Sequence, residues 1–279
     1  MMYLEWDGRN NPSSLDWMDY MEIKAKKSLG QNFLQDENIL KNIANSITTK
    51  TNDLIIEIGP GKGALTKYLK EKNSFLICYE IDERMKEILK KLEDNKTKII
   101  FNDFLQADII NDSQEFAYEN IYIIANIPYY ITTPIIKKVI KQEKLKNMTL
   151  LVQKEVAERL SAKPGSKSYG SLTVYLNYYF NINYLFNVSK YAFNPIPKVE
   201  SAVVNFERIK NKISVKNEEL FFKLINDSFK MKRKTLKNNL KEYNWTKIKT
   251  ILEKQNLNES VRAEELSIEI FVEIANALS

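Results

Sequence analysis

A regular alternation of apolar runs and helical patterns, beginning at Leu54, constrains the fold more than any other feature of the chain. The apolar runs predict strands over residues 54–58, 75–80, 97–102, 120–125 and 148–153. The helical patterns lie between or after them, over residues 63–71, 83–92, 133–142 and 154–161. Alternation of this kind predicts a parallel sheet with helices on both faces.

The pattern changes in the last third of the chain. Two β-rich runs, residues 183–188 and 202–208, are joined by the rigid sequence Asn194-Pro195-Ile196-Pro197. From about Asn211 onward the pattern is wholly helical. We therefore predict a mostly parallel sheet with a final antiparallel hairpin strand, followed by a small all-helical domain. The predicted boundaries are 1–26 for an N-terminal extension, 27–209 for the α/β domain and 210–279 for the helical domain.

Composition excludes several kinds of chemistry. The 279 residues include one cysteine, Cys78, and no histidine, which excludes an internal disulfide, a multi-cysteine metal site and a Ser-His-Asp triad. We therefore expect no metal. The net charge of +6 favours a polyanionic partner, although a general richness in lysine gives the same value. With no apolar run of membrane-spanning length and no secretory signal, we expect no membrane association and a cytoplasmic location.

A glycine-rich turn follows the first predicted strand. Residues 57–63 read Glu-Ile-Gly-Pro-Gly-Lys-Gly, a spacing that differs from the G-x-G-x-x-G of dinucleotide binders. Glu80 ends the second strand about 20 residues after Gly59, where an acid typically binds a ribose diol. Glu57 precedes the turn, where a carboxylate suits a cationic cofactor better than a pyrophosphate. The pattern favours S-adenosylmethionine, although a tight turn beside an ordinary surface acid has the same residues.

The ends of the third and fourth strands carry two further candidates. Asp103 is positioned to bond the amine of a cofactor adenine, although alone it is an ordinary strand-end residue. Residues 126–129 read Asn-Ile-Pro-Tyr and place an amide and an aromatic ring at the carboxyl end of a buried strand, where open α/β sheets bind ligands. After four such strands, this motif is typical of methylation of an exocyclic amino nitrogen.

With these motifs in order, the chain resembles the KsgA/RsmA family of ribosomal RNA adenine dimethyltransferases over about residues 26 to 279. The matching segments are residues 28–34, 57–63, 80–82, 102–103, 126–129, 153–160, 164–165, 169–170 and 193–203. The resemblance implies a Rossmann-like S-adenosylmethionine-dependent methyltransferase sheet with a helical RNA-binding domain. Tyr130 stands where many bacterial members carry Asn, which puts the shape of the pocket rim in question.

The resemblance also implies roles for individual residues. The implied cofactor contacts are Asn32, Leu34, Gly59, Gly61, Glu80, Asp103 and Asn126, and the segment with Gln31 and Phe33 forms a lid. The implied catalytic set is Asn126, Ile127, Pro128, Tyr129 and Phe193. In that set the Asn126 side chain and the Ile127 carbonyl accept the amino hydrogens of adenine, and Tyr129 stacks on the base with Phe193 as a candidate for its other face.

A basic stretch near the C-terminus is the candidate RNA surface. Lys230, Lys234, Lys237 and Lys241 follow a helical spacing, with Lys232 and Arg233 nearby. Such a face suits phosphate contacts, although a solvated helix has the same spacing. The resemblance favours RNA.

The resemblance leaves three functions open. The first is dimethylation of two adjacent adenines near the 3′ end of 16S rRNA, within a 30S subunit or its precursor, by a monomer. The second is adenine methylation of 23S rRNA that confers macrolide resistance. The third is a non-catalytic RNA-binding assembly factor on the same fold. The sequence of residues 193–201 and the Pro164–Gly170 loop fit the first best, and intact Gly59, Glu80, Asp103 and Asn126 argue against the third.

Overall fold

The computed structural model describes residues 23–26, 29–127 and 131–279. The strands are β1 Phe33–Leu34, β2 Leu54–Ile58, β3 Phe75–Glu80, β4 Thr97–Phe101, β5 Ile121–Asn126, β6 Leu145–Gln153, β7 Phe180–Val188, β8 Phe193–Asn194 and β9 Ser201–Arg208. The α-helices are α1 Glu37–Asn45, α2 Ala64–Lys70, α3 Lys86–Leu89, α4 Ile109–Asp112, α5 Thr132–Val139, α6 Lys154–Leu160, α7 Ser171–Asn177, α8 Glu218–Ser228, α9 Leu236–Asn239, α10 Trp245–Lys254 and α11 Ile268–Leu278.

The described residues divide into two compact units. One holds the chain up to residue 119 together with residues 190–198, and the other holds residues 120–189 together with 199–279. The boundary predicted at residue 209 is not a point at which these units divide, and as a domain boundary it stays a prediction.

Strands β2, β3 and β4 of the first unit are parallel. Leu54 pairs with Phe75, and Leu76 pairs with Thr97. All five residues of β2 are buried, four apolar residues and Glu57. A parallel strand that is covered on both faces is expected to be buried in this way. Since parallel strands run the same way, the residues that follow β2, β3 and β4 lie at one edge.

The second unit continues the predicted pattern. Strands β5 and β6 are parallel, whereas β9 pairs antiparallel with both β6 and β7. The predictions of a mostly parallel sheet and of a final antiparallel hairpin strand are therefore confirmed.

The C-terminal part of the second unit is helical, as predicted. Helix α11 packs against α8 and α10. Phe221, Leu252 and Phe271 supply buried side chains to this core. Among the described residues, no helix combines the length and the apolar character that a membrane span requires.

Helix boundaries follow local chemistry that the sequence announces in part. Asp36 caps α1 by accepting hydrogen bonds from the backbone N–H groups of Asn38 and Ile39, at 2.9 and 3.1 Å. The single helix predicted over 83–92 is instead divided into 3-10 turns on either side of α3.

Candidate active site

The turn after β2 has a left-handed backbone at its glycines. Gly61 has φ +56° and Gly63 has φ +78°, a region that L residues with a side chain rarely adopt. A Cβ at Gly63 would lie 2.6 Å from Cδ1 of Leu92, and one at Gly61 would lie 3.0 Å from the Phe33 ring. The glycine pattern is therefore required both by backbone conformation and by the close approach of these side chains.

Glu80 ends β3 beside this turn and is 4% exposed. One carboxylate oxygen accepts a hydrogen bond from the Gly61 N–H and the other accepts one from the Asp82 N–H, both at 2.9 Å. Burial raises the pKa of Glu80, and the hydrogen bonds from these amides oppose that rise. A carboxylate has about four acceptor positions. Two hydrogen bonds from backbone amides therefore fix the group and leave it able to accept hydrogen bonds from ribose hydroxyls.

Glu57 lies inside the first unit rather than at the edge of the sheet. Its carboxylate accepts a hydrogen bond from Thr66 Oγ1 at 2.6 Å and one from Cys78 Sγ at 3.4 Å. Burial raises the pKa of Glu57 to about 7. The suggested fit of Glu57 to a cationic cofactor therefore finds no support in these contacts. Cys78 is fully buried and belongs to the core of this unit.

Asp103 follows β4 at the same edge as Glu80. It is half-buried, and its Oδ1 accepts a hydrogen bond from the Leu105 N–H at 2.9 Å. Sequence reasoning overlooked Ile81, which lies between Glu80 and Asp82 and is 55% exposed. An exposed isoleucine next to two buried carboxylates is unusual in an otherwise apolar strand end, and it offers an apolar face to a planar base.

The predicted lid segment lies across the glycine turn. The Phe33 ring contacts the position of Gly61, and Lys62 Nζ lies 5.3 Å from the centre of that ring. Leu34 is buried, whereas Asn32 is half-buried and donates from Nδ2 to the Gly30 carbonyl at 3.3 Å.

Strand β1 of this segment pairs antiparallel with β8. Leu34 faces Phe193, and the Gln35 N–H donates to the Ala192 carbonyl at 2.9 Å. The structure thus brings Phe193 to the lid strand, a pairing that the sequence did not predict. Phe193 is 5% exposed.

The predicted base-binding motif begins at the end of β5 in the second unit. Asn126 is half-buried and Ile127 is buried. Pro128, Tyr129 and Tyr130 lie outside the described residues, as does most of the predicted N-terminal extension.

The basic stretch does not form the continuous helix that the spacing of its lysines predicts. Helix α8 ends at Ser228, residues 229–234 form turns, and α9 covers only Leu236–Asn239. The Asn239 side chain bonds both backbone groups of Met231, and the Thr235 side chain caps α9, so local polar groups replace the helical hydrogen bonds.

The basic side chains of this stretch are nevertheless exposed. They are Lys230, Lys232, Arg233, Lys234, Lys237 and Lys241. Lys230 pairs with Asp227 at 2.8 Å, Lys237 pairs with Glu259 at 2.5 Å, and Lys232 donates to the Lys167 carbonyl. Among the apolar residues beside them, Ile225, Leu236 and Leu240 are buried, whereas Phe229 is half-buried.

The strand-end glycine turn and the acid at the end of β3 fit a nucleoside cofactor, and together with the parallel pairing of β2, β3 and β4 they define a Rossmann-like methyltransferase. The model of the family described as ribosomal RNA adenine dimethylase matches residues 22–279. The chain belongs to this family, which accounts for nearly its whole length.

Curated relatives and a solved structure agree. Ribosomal RNA small subunit methyltransferase A of Alkaliphilus oremlandii is 40% identical, and the match covers 92% of this chain and 93% of the relative. The protein of the same name from Streptococcus thermophilus is 41% identical over 91% of each chain. A dimethyladenosine transferase from Plasmodium falciparum has a similar structure, with TM-score 0.72, 27% identity and coverage of 87% of this chain and 95% of that one. The 23S rRNA methyltransferase ErmE has TM-score 0.75 at 23% identity, with coverage of 88% and 99%, and shows the fold alone.

Proposed function

We propose that this protein dimethylates the N6 nitrogens of two adjacent adenines near the 3′ end of 16S rRNA, with S-adenosylmethionine as methyl donor. The observation that carries the proposal is the placement of Gly61, Glu80 and Asp103 at one sheet edge, in a chain 40% identical over 92% of its length to a small subunit methyltransferase A. The substrate would be a 30S subunit or its precursor, bound by a monomer in the cytoplasm.

The residues of the first unit suit the nucleoside part of the donor. Glu80 is held by two backbone amides and would accept the ribose hydroxyls. Asp103 would accept a hydrogen bond from the adenine amine through Oδ2, since Oδ1 accepts the Leu105 N–H. Ile81 would contact the adenine ring. Asn32, Leu34, Gly59 and Asn126 complete the proposed cofactor contacts. When bound, S-adenosylmethionine supplies an electrophilic methyl group on a sulfonium.

The target adenine requires positioning more than acid–base chemistry. The N6 lone pair is delocalised into the ring and is a poor nucleophile. The Asn126 side-chain oxygen and the Ile127 carbonyl would accept the two amino hydrogens and direct the lone pair towards the methyl group. Tyr129 would stack on one face of the extruded base and Phe193 on the other, with Pro128 shaping the turn. No basic side chain is required, because the methylated nitrogen loses its proton readily to water.

The RNA would be held in part by the exposed basic residues near the C-terminus. Lysine and arginine contacts to phosphate release counterions and make binding depend on salt. The residues proposed for this are Lys230, Lys232, Arg233, Lys234, Lys237 and Lys241. Of these, Lys230 and Lys237 already pair with carboxylates, so the other four would contribute more.

Methyl transfer to ribosomal particles tests this function. With a radiolabelled methyl donor, the purified protein should label 30S particles that lack the two dimethyladenosines, and digestion should yield N6,N6-dimethyladenosine. Labelling of 23S rRNA in place of the 30S particle would contradict the proposed substrate. If neither the 30S particle nor 23S rRNA were labelled, the result would contradict the proposed activity.

A further inference from the structure

A buried carboxylate joins the end of β3 to the lid segment. Asp82 is 5% exposed, and its Oδ2 accepts a hydrogen bond from Gln31 Nε2 at 2.8 Å. The Arg84 guanidinium donates to Asp82 from Nε at 2.8 Å and from Nη2 at 2.5 Å. These contacts hold the pKa of Asp82 down at about 2, the Arg84 hydrogen bond being the largest cause. The carboxylate is therefore charged and doubly engaged.

The Gln31 amide is fixed at both of its ends. Its Oε1 accepts from the Lys26 N–H at 2.8 Å and from Arg84 Nη2 at 3.3 Å. Arg84 Nη1 also donates to the Lys24 carbonyl at 3.2 Å. Arg84 thus ties Lys24 and Gln31 to the carboxylate at the sheet edge.

The same contacts reach both parts of the site that lie in the first unit. The Asp82 N–H holds one carboxylate oxygen of Glu80. From Gln31 the chain runs directly into β1, where Phe33 contacts Gly61 and Leu34 faces Phe193. A continuous series of bonds therefore joins the proposed ribose acid to the proposed stacking ring.

We propose that Gln31, Asp82 and Arg84 form a latch that positions strand β1, and through it both the cofactor contacts and Phe193. The three would act as positioning residues, through their neighbours rather than directly on cofactor or base. This inference rests on the proposed function, because it concerns the same site. Its consequence is that loosening the latch weakens donor binding and releases the β1–β8 pairing together.

Arg84 offers the most direct test of the latch. Its side chain is 44% exposed, so replacement leaves no cavity in the core. Its loss removes the planar fork that binds Asp82 through two nitrogens, and lysine does not restore such a fork. The Gln31→Ala change removes the other partner of Asp82. Lys86→Ala is the matched control, because Lys86 lies next to Met85 on the same turn and pairs with Glu83 at 3.9 Å rather than with Asp82.

Binding of S-adenosylhomocysteine, measured by calorimetry without RNA, gives the first readout. Loss of one charge-assisted hydrogen bond should raise the dissociation constant about tenfold in Arg84→Ala and in Gln31→Ala. Arg84→Lys should fall between Arg84→Ala and the wild type, and Lys86→Ala should match the wild type, with melting temperatures close together. Wild-type affinity in both Arg84→Ala and Gln31→Ala would overturn the latch.

Amide hydrogen exchange gives a second readout that general destabilisation would not move selectively. In the wild type the Gln35 N–H bonds Ala192 across β1 and β8, and its exchange should be slow. In Arg84→Ala it should be faster, while amides of β3 keep their protection. Unchanged protection of Gln35 would refute the coupling to Phe193. Neither readout uses RNA, so failure to methylate any 16S adenine would overturn the proposed function and not the latch.

Discussion

At the scale of single residues, Asn126 is the side chain on which the proposed chemistry depends most. It ends β5 with a half-buried amide, and its proposed role is to accept an amino hydrogen of the target adenine. A residue of this kind acts on the reacting nitrogen by orientation rather than by proton transfer.

Replacing Asn126 with Ala should therefore lower the methyl transfer rate at saturating substrates by about a hundredfold or more, since small errors in alignment cost that much. Affinity for S-adenosylhomocysteine should change little, because Asn126 is one of several proposed cofactor contacts. Single-turnover kinetics and calorimetry measure the two effects. Wild-type turnover in the variant would remove Asn126 from the mechanism.

The buried carboxyl of Glu57 should make the stability of the fold depend on pH. Its pKa of about 7 lies above the ordinary value of 4.5 because the carboxyl is buried. The folded chain therefore holds this proton more tightly than the unfolded chain. The resulting stability is complete below pH 4.5 and is lost as pH rises through 7. The loss is about 3 kcal/mol in total.

The variant Glu57→Gln tests this, since glutamine keeps the acceptor for Thr66 and does not ionise. Glu80 and Cys78 lie nearby with raised pKa values of their own, so the readout is the difference between the two proteins. Relative to the wild type, the variant should gain unfolding free energy between pH 5 and pH 8 in urea titrations. Parallel pH profiles would show that Glu57 does not titrate in this range.

Spacing along the chain correctly placed Glu80 and Asp103 at one edge of the sheet, because residues that follow parallel strands lie at one edge whatever the packing around them. The latch residues Asp82 and Arg84 escaped that reasoning. Their partner Gln31 lies about 50 positions away, and a short acidic–basic pair at the start of a helix has the same appearance on any solvated surface.

At the scale of elements, the glycine turn and the lid strand depend on each other. Gly61 has a left-handed backbone, and a Cβ there would lie 3.0 Å from the Phe33 ring. A side chain at this position would therefore require the Phe33 ring to shift by a few tenths of an ångström.

A Gly61→Ala variant should lose about 1–2 kcal/mol of stability from backbone strain. It should also bind S-adenosylhomocysteine several-fold more weakly, because Phe33 must shift. A matched Gly165→Ala variant shares the positive φ, at +86°, but meets no atom within 4 Å. Equal affinities in the two variants would show that the contact with Phe33 is unimportant for the cofactor.

The basic stretch shows where periodicity misleads. The spacing of its lysines is helical, yet the chain between Ser228 and Leu236 is not. The side chains of Asn239 and Thr235 form hydrogen bonds with the backbone nearby and replace those of a helix. Pattern reasoning counted the lysines correctly and missed the side chains that compete for the main chain.

The Lys234→Glu variant should bind rRNA more weakly. The slope of the logarithm of affinity against the logarithm of salt concentration should fall by at least about 1, which corresponds to one lost phosphate contact. The effect should exceed that of Lys230→Glu, which changes the charge by the same amount, since Lys230 is already paired with Asp227. Filter binding over a range of salt concentrations measures both. A salt slope unchanged by Lys234→Glu would place the RNA elsewhere on the protein.

Across the fold as a whole, the positions of the strands along the chain were the most predictable feature. Bounds of β2 and β3 match the predicted ones, because each strand is a continuous apolar run between polar turns. Two short strands, β1 and β8, were not predicted, since two-residue strands carry no period and form only when distant segments meet. The family match and the relatives named small subunit methyltransferase A support the ribosomal substrate, which the fold alone does not specify.

This chain, as proposed above, methylates adenine in the small ribosomal subunit. The most direct measurement is methyl transfer from a tritiated donor to 30S particles that lack the two dimethyladenosines, beside 23S rRNA and fully methylated 30S particles. We predict about four methyl groups per unmethylated 30S particle, located on two adjacent adenines, and only background labelling of 23S rRNA and of the fully methylated 30S particles. Incorporation into 23S rRNA, or none into the unmethylated 30S particle, would contradict it.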